Sequence, residues 1–173
     1  GYNTDASAFI GPLQNKFGSL REVRCAIIGA GGGARAGLWA LRNEQALVEL
    51  FVRDLGRARS TASQFNVACH PLAKANFDGF DVVVNATPLG TQGPQQNETP
   101  VTGEQLRKVR LAYDLVYNPL ETRFLREAHA AGCETLSGIE MLLAQAAEQF
   151  KLWTGLEPEV DLMRAAAVRT LAE

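Results

Sequence analysis

Five residues near the start, Gly29-Ala30-Gly31-Gly32-Gly33, constrain this chain more than any others. Before them, Val23 to Ile28 is a short, mostly apolar run with charge at its head, the signature of a buried strand. After them, Ala34-Arg35-Ala36-Gly37-Leu38-Trp39-Ala40-Leu41 sets Ala and Leu at helical spacing. A strand that turns on glycine straight into a helix brings backbone N–H groups close to whatever sits at the turn. It also points the positive end of the helix dipole at the same place. Gly29, Gly31 and Ala34 form a GxGxxA spacing that, between a strand and a helix, suits a dinucleotide pyrophosphate. Glycine turns also serve simple close packing, so the rest of the chain has to support that reading.

The alternation continues in both directions. Asp5 to Phe17 reads as a first helix, Leu47 to Val52 as a second strand, Arg57 to Phe65 as a helix and Asn66 to Cys69 as a short strand. Asp81-Val82-Val83-Val84-Asn85-Ala86 is the strongest strand signal, because β-branched residues run together between polar ends. Residues 87–103 are rich in Pro, Gly, Gln and Thr and read as a surface loop beside a site, with the character of a lid. Leu111 to Tyr117 reads as a strand, and Pro119 falls where the first turn of a helix tolerates proline, that helix running to Ala131. Glu134 to Ser137 is a short strand, Ile139 to Trp153 an amphipathic helix closed by Gly155, and Glu159 to Leu171 a last helix. Trp39, Phe65, Phe150 and Trp153 sit at helical spacing and read as packing residues. Strands alternating with helices over 173 residues predict one α/β domain with a doubly wound, mostly parallel sheet of the Rossmann kind.

Composition narrows the function. With 17 Lys and Arg against 19 Asp and Glu, the net charge of −2 leaves no basic excess for a phosphate backbone or an anionic membrane. No nucleic-acid partner and no membrane association are expected, since no apolar stretch approaches the ~20 residues of a span. Cys25, Cys69 and Cys133 are widely spaced and odd in number, which excludes a disulfide framework and a CxxC metal site and points to the cytoplasm. Cys25 and Cys69 lie in strand-like runs and read as small buried hydrophobes. No metal is expected. His70 and His129 have no partner pattern, and His129 sits where a helix C-terminus favours a cation.

The end of the second strand bears on the cofactor. NAD-binding folds present an acidic residue there to the ribose 2′-OH, and NADP-binding folds an arginine to the 2′-phosphate. This chain has Val52-Arg53-Asp54-Leu55-Gly56-Arg57. Arg53 and Arg57 favour NADP, and Asp54 keeps NAD open as a receiver of ribose hydroxyls.

Five segments in order then carry a family resemblance. They are Gly1-Tyr2-Asn3-Thr4-Asp5, Gly29 to Arg35, Asn85-Ala86-Thr87-Pro88-Leu89-Gly90, Asp114-Leu115-Val116-Tyr117-Asn118-Pro119, and Gly138 to Ala146 followed by Phe150 and Trp153-Thr154-Gly155. Together the chain resembles the C-terminal, cofactor-binding domain of the shikimate dehydrogenases over nearly its whole length. The resemblance implies reversible hydride transfer between NADPH and 3-dehydroshikimate, giving shikimate, on the route to aromatic amino acids. It implies that Asp5 is the catalytic aspartate, which also binds substrate beside a lysine, and that Tyr117 and Gln145 are substrate contacts. Leu115 and Gly138 would line the nicotinamide, Ala86, Thr87 and Pro88 would lie along the cofactor, and Arg53 and Arg57 would take the 2′-phosphate. Many relatives have Asn-Arg-Thr where this chain has Val52-Arg53-Asp54, a departure that weakens the case for strict NADP preference. On residues alone, the plainer alternatives are that Asp5 caps the first helix and that Tyr117 and Gln145 are core residues with polar tips.

The resemblance also implies a partner. In that family the catalytic lysine and most substrate contacts belong to an N-terminal domain, and none of Lys16, Lys74, Lys108 and Lys151 matches the lysine motif. Residues 1–20 would then be the linker helix from that domain and residues 139–173 the closing helices. The chain starts at Gly1 without an initiator Met, so it is expected to be part of a longer protein and to lack turnover by itself. In some relatives the dehydrogenase follows a dehydroquinate dehydratase on one chain. Faces left uncovered by the missing domain would favour self-association, as in a homodimer. Two rival functions stand beside the main one, a quinate or shikimate dehydrogenase preferring NAD and a non-catalytic ligand-sensing module.

Overall fold

The computed structural model describes residues 4–171. Helix α1 (Thr4–Phe17) leads to β1 (Arg24–Ile28), α2 (Gly32–Asn43), β2 (Leu47–Val52), α3 (Leu55–Phe65) and β3 (Ala68–Pro71). After a 3-10 turn at Leu72–Lys74 come β4 (Val82–Asn85), the short α4 (Gly103–Leu106), β5 (Leu111–Asp114) and α5 (Arg123–Ala130). The chain closes with β6 (Glu134–Leu136), α6 (Gly138–Thr154) and α7 (Val160–Leu171). All six strands are parallel and ordered β3-β2-β1-β4-β5-β6, the doubly wound arrangement expected from the alternation.

Burial explains the order. The central strands β4 and β5 are buried at every residue and β1 at all but its first, as parallel strands covered on both faces must be. On one face Ile27, Leu50, Val82, Val84 and Tyr113 meet Phe9 and Leu13 of α1 and Leu38 and Leu41 of α2. On the other, Ala26, Ile28, Phe51, Val83 and Ala112 meet Phe77, Phe80, Leu106 and Phe124. The link from β3 to β4 carries no long helix. Phe77 and Phe80 pack against Phe51 there, tilted and edge-on with ring centroids 5.0 and 5.7 Å away, and supply the apolar cover a helix would give. At the topological switch, the chain goes from β1 to β2 on one side and later returns to β4 on the other. A crevice opens between the carboxyl ends of β1 and β4.

Several local expectations shift. The strand predicted to reach Tyr117 ends at Asp114, because the Asp114 carboxylate turns back to accept from Val116 N at 3.0 Å. The helix expected from Pro119 begins instead at Arg123, capped by Thr122, and the Asn118–Pro119 bond is cis. Helix α3 starts at Leu55 rather than Arg57, since Asp54 caps it. Asn66 ends that helix in the left-handed region, so β3 begins at Ala68 and runs to Pro71. Asp5 lies inside the first turn of α1, not ahead of it. Trp39 and Trp153, expected to pack, are 54% and 80% exposed. Cys25 and Cys133 are buried, whereas Cys69 on the edge strand is half-buried. Among the described residues no helix is long and apolar enough to cross a membrane, and no group of three or more His, Cys, Asp or Glu is placed to hold a metal.

Candidate functional site

The crevice at the carboxyl end of the sheet has two lobes that share Ala86, Thr87 and Pro88. The first, of about 270 Å³, runs from Gly29, Ala30 and Gly31 to Arg53, Asp54 and Arg57. The second, of about 550 Å³, is walled by Gly33, Leu115, Val116 and Tyr117 and closed by Thr91, Gln92 and Asn118. A ligand long enough to fill both lobes would cross the N-terminus of α2 on its way.

That crossing point has the geometry an anion needs. Gly31 caps α2 and has no side chain to satisfy the first-turn amides, and no acidic residue stands in that turn. First-turn N–H groups have no intrahelical acceptor, so those of Gly32, Gly33 and Ala34 are free to donate. A Cβ added at Gly31 or Gly32 would meet nothing within 4 Å, so the space above the amides is open. Gly29 has a different reason to be glycine. Its φ is +109°, and a Cβ there would stand 2.8 Å from the Ala86 carbonyl oxygen. The close approach lets Ala86 N donate to Ile28 O at 2.9 Å and seats the 86–88 loop against the turn.

A buried polar network holds the floor. Asn85 Nδ2 donates to Asp114 Oδ1 at 3.0 Å and to Leu89 O at 3.1 Å, and Asn85 Oδ1 accepts from Thr87 N at 3.0 Å and Thr87 Oγ1 at 2.6 Å. Thr122 Oγ1 donates to Asp114 Oδ2 at 2.5 Å and accepts from Leu125 N at 3.3 Å, which joins the network to the head of α5. Burial pushes the Asp114 carboxyl up to about 6, while hydrogen bonds from Thr122, Val116 N and Asn85 pull it down. Asn85 and Asp114 stood within the sequence motifs, but their part in shaping the loops was missed. The polar residue ending each of two adjacent buried strands was the available signal.

The remaining candidates fall in two groups. Leu115 and Tyr117 line the second lobe, and Tyr117 is exposed there. Gly138, the first residue of α6, lines neither lobe; its missing Cβ would lie 2.5 Å from Leu115 O and 2.6 Å from Val116 C, so it sets the distance between α6 and the lobe wall. Asp5 and Gln145 meet each other across the α1–α6 contact, Gln145 Nε2 donating to Asp5 Oδ1. Two further pairs hold the same contact: Ser7 with Glu148, and Gln149 Nε2 with Thr4 Oγ1 at 3.3 Å. Neither Asp5 nor Gln145 lines the two lobes. The Gly1-Tyr2-Asn3 part of the first motif lies outside the described residues.

Asp54 Oδ1 accepts from Gly56 N at 2.9 Å and Arg57 N at 3.2 Å and so caps α3, while its Oδ2 lies 3.4 Å from Arg57 Nε. A family model described as the Shikimate 5′-dehydrogenase C-terminal domain matches residues 138–168. The shikimate dehydrogenase (NADP(+)) of Methanosarcina mazei is 38% identical over 180 residues, covering 99% of this chain and 64% of that protein. The chain is a homologue of the shikimate dehydrogenases. The solved structure of a shikimate dehydrogenase in complex with NADP+ superposes with a TM-score of 0.90 at 33% identity, covering 100% of this chain and 63% of its own. That of the Thermus thermophilus shikimate 5-dehydrogenase, in complex with NADP(H) and shikimate, gives 0.83 at 38% identity, covering 98% of this chain and 63% of its own. This shikimate dehydrogenase homologue thus spans just under two thirds of the length of the relatives it matches, 64% in the M. mazei case.

Proposed function

We propose that this chain is the cofactor-binding part of an NADP(H)-dependent shikimate dehydrogenase, serving reversible hydride transfer between NADPH and 3-dehydroshikimate. The observation that carries the reading is the first lobe. It joins an uncapped helix N-terminus at Gly31 to two exposed guanidinium groups, Arg53 and Arg57, within one cavity. A dinucleotide pyrophosphate fits the first and a ribose 2′-phosphate the second.

The bound cofactor supplies the hydride. The chain's own residues do the rest. Amides of Gly32, Gly33 and Ala34 hold the pyrophosphate, Ala30 and the Ala86 to Pro88 loop lie along the dinucleotide, and Leu115 presents an apolar wall in the second lobe. Gly138 keeps α6 close enough for that wall to stay in place. Tyr117, Gln145 and Asp5 offer a phenol, an amide and a carboxylate to the ring hydroxyls of a substrate, with Gln145 orienting Asp5. The lysines give no proton donor at the cleft: Lys16 pairs with Glu134, Lys108 with Asp78 and Lys151 with Glu157, and Lys74 lines a separate groove beside His70. As the resemblance to the shikimate dehydrogenases implies, turnover draws on a further domain that provides the lysine.

The same reading assigns the chain to the cytoplasm, where its three free cysteines stay reduced. It also includes self-association, supported by exposed Trp153, Leu156 and Leu162 on the last two helices and their connection. Sedimentation as a clean monomer at high concentration removes that part.

The test is a fluorescence titration of the chain with NADPH and with NADH at matched salt. Tighter NADPH binding, weakened about tenfold by Arg53→Ala, is the expected result, in line with loss of a charge-assisted bond. Preference for NADH gives the 2′ end to Asp54 and the quinate reading, and no binding of either cofactor removes the proposed function.

A further inference from the structure

The second lobe is a slot whose two walls come from separate parts of the chain. One is the loop after β4, running through Thr87 and Pro88 to Thr91, Gln92 and Gly93, and the other is the segment after β5, Leu115 to Asn118. At the floor, buried groups tie the walls together. Leu115 N donates to Asn85 O at 3.0 Å, and Asn85 Nδ2 and Val116 N each donate to Asp114 Oδ1 at 3.0 Å. At the mouth one pair of residues makes a second tie. Gln92 N donates to Asn118 O at 2.9 Å, and Asn118 Nδ2 returns a bond to Gln92 Oε1 at 2.6 Å. Among the described residues, these are the only hydrogen bonds that join residues 88–93 to residues 115–118. The outer part of the loop is anchored farther away, where Arg123 Nη1 donates to Asn97 O at 3.1 Å. The tip itself has little packing: Thr91 and Gln92 are exposed, and a Cβ added at Gly93 would meet nothing within 4 Å. Its place over the lobe therefore rests on the pairing with Asn118.

Resting on the NADP(H) reading above, we propose that Gln92 is a positioning residue for the nicotinamide half of the cofactor, its side chain holding the loop tip against Asn118 so that the second lobe keeps one width. A planar ring gains most from two walls that already stand at contact distance, because ordering a loose wall on binding subtracts its entropy from the affinity. The wall that carries Leu115 is fixed at the floor by Asn85 and Asp114. The facing loop tip is fixed at the mouth by Gln92. None of Thr91, Gln92 and Asn118 lines the first lobe, where the adenosine half would lie. The Gln92 side chain therefore acts on one half of the dinucleotide only. Because its bond is exposed and water competes for both partners, the effect is moderate.

Gln92→Ala deletes the side-chain bond and leaves the backbone one, and Gln92→Met keeps the length of the side chain while deleting the acceptor. The full chain is titrated by calorimetry with NADPH and with adenosine 2′,5′-bisphosphate, which carries the 2′-phosphate but lacks the nicotinamide half. NADPH should bind about three- to tenfold more weakly to both variants, and the bisphosphate as it does to the unaltered chain. Asn118→Ala should cause a similar loss, and Gln92→Ala added to it should cost nothing further. A purely structural role would instead weaken both ligands together. Equal weakening of the two ligands overturns the proposal, as does unchanged NADPH binding in Gln92→Ala or full binding in Gln92→Met, which would give the role to bulk and not to the bond. Thermal melts identify a variant that has lost its fold, in which case the other variant decides. If the unaltered chain binds neither ligand, the reading of the cleft falls and this inference with it. If it binds both, but NADPH no more tightly than the bisphosphate, only the role of Gln92 falls.

Discussion

Thr122→Val isolates the network beneath the cleft. The hydroxyl has two partners, Asp114 Oδ2 at 2.5 Å and Leu125 N at 3.3 Å, and valine replaces it with a methyl group of similar shape. Loss of the cap of α5 costs about 1 kcal/mol. Loss of a hydrogen bond to an ionised buried carboxylate costs about 1.5–3 kcal/mol more. The first contribution does not depend on pH, and the second does, because Asp114 titrates near 6 in the folded protein. A carboxyl whose folded value is raised holds its proton more tightly folded than unfolded, so the native chain loses stability as pH rises from about 4 to about 6. Removing the Thr122 donor raises that value again, which steepens the loss and extends it upward. The variant should thus be less stable than the native chain by about 1–2 kcal/mol near pH 5 and about 3 kcal/mol near pH 8. For a domain of this size, about 3 kcal/mol corresponds to a Tm lowered by roughly 6–12 °C. Urea unfolding followed by circular dichroism across that pH range measures the difference directly, with Thr122→Ser, which keeps the hydroxyl, staying close to native. A penalty that is flat with pH, or below about 1 kcal/mol throughout, would refute the assignment of an ionised Asp114 held by Thr122.

Other perturbations probe separate features. Gly138→Ala drives a Cβ into Leu115 O and Val116 C, backbone that cannot step aside, so a stability loss of about 2–3 kcal/mol should accompany weaker NADPH binding, read by thermal melt and titration. Arg164→Ala removes the bidentate pair with Glu140 that ties α7, a helix with no buried residue, to α6. Hydrogen exchange should then accelerate in Val160–Leu171 while the Tm changes by less than about 3 °C, since the pair is partly exposed. Burial, with the Asp81 charge beside it, pushes the Cys25 thiol up to about 12, so at neutral pH it stays protonated and shielded. A thiol reagent should label half-buried Cys69 first in the folded chain and reach Cys25 only on unfolding, as peptide mapping would show.

Much of this protein was legible because its signals are local. Val82-Val83-Val84 between Asp81 and Asn85 has to be a buried strand, and Gly29 to Gly33 after an apolar run has to be a turn into a helix, since both depend on spacing and backbone freedom within a few residues. The order of such pieces determined the parallel sheet and the position of its crevice. Other features depended on residues distant in sequence. Thr122 stops the helix expected at Pro119 because it meets Asp114 across a loop, and a one-dimensional pattern carries no record of that pairing. Asp54 was legible as a charge near Arg57 but not as the cap of α3 that fixes its second oxygen beside that arginine. Asp5 and Gln145 lie far apart in the chain and meet only because α1 and α6 pack on each other. Trp39 and Trp153 have the spacing of core residues yet face outward, because helical periodicity shows that two residues share a face and not whether anything covers it. Tertiary structure alone decides these cases, since burial and hydrogen-bond partnership belong to pairs of elements and become defined only when the sheet has brought those elements together.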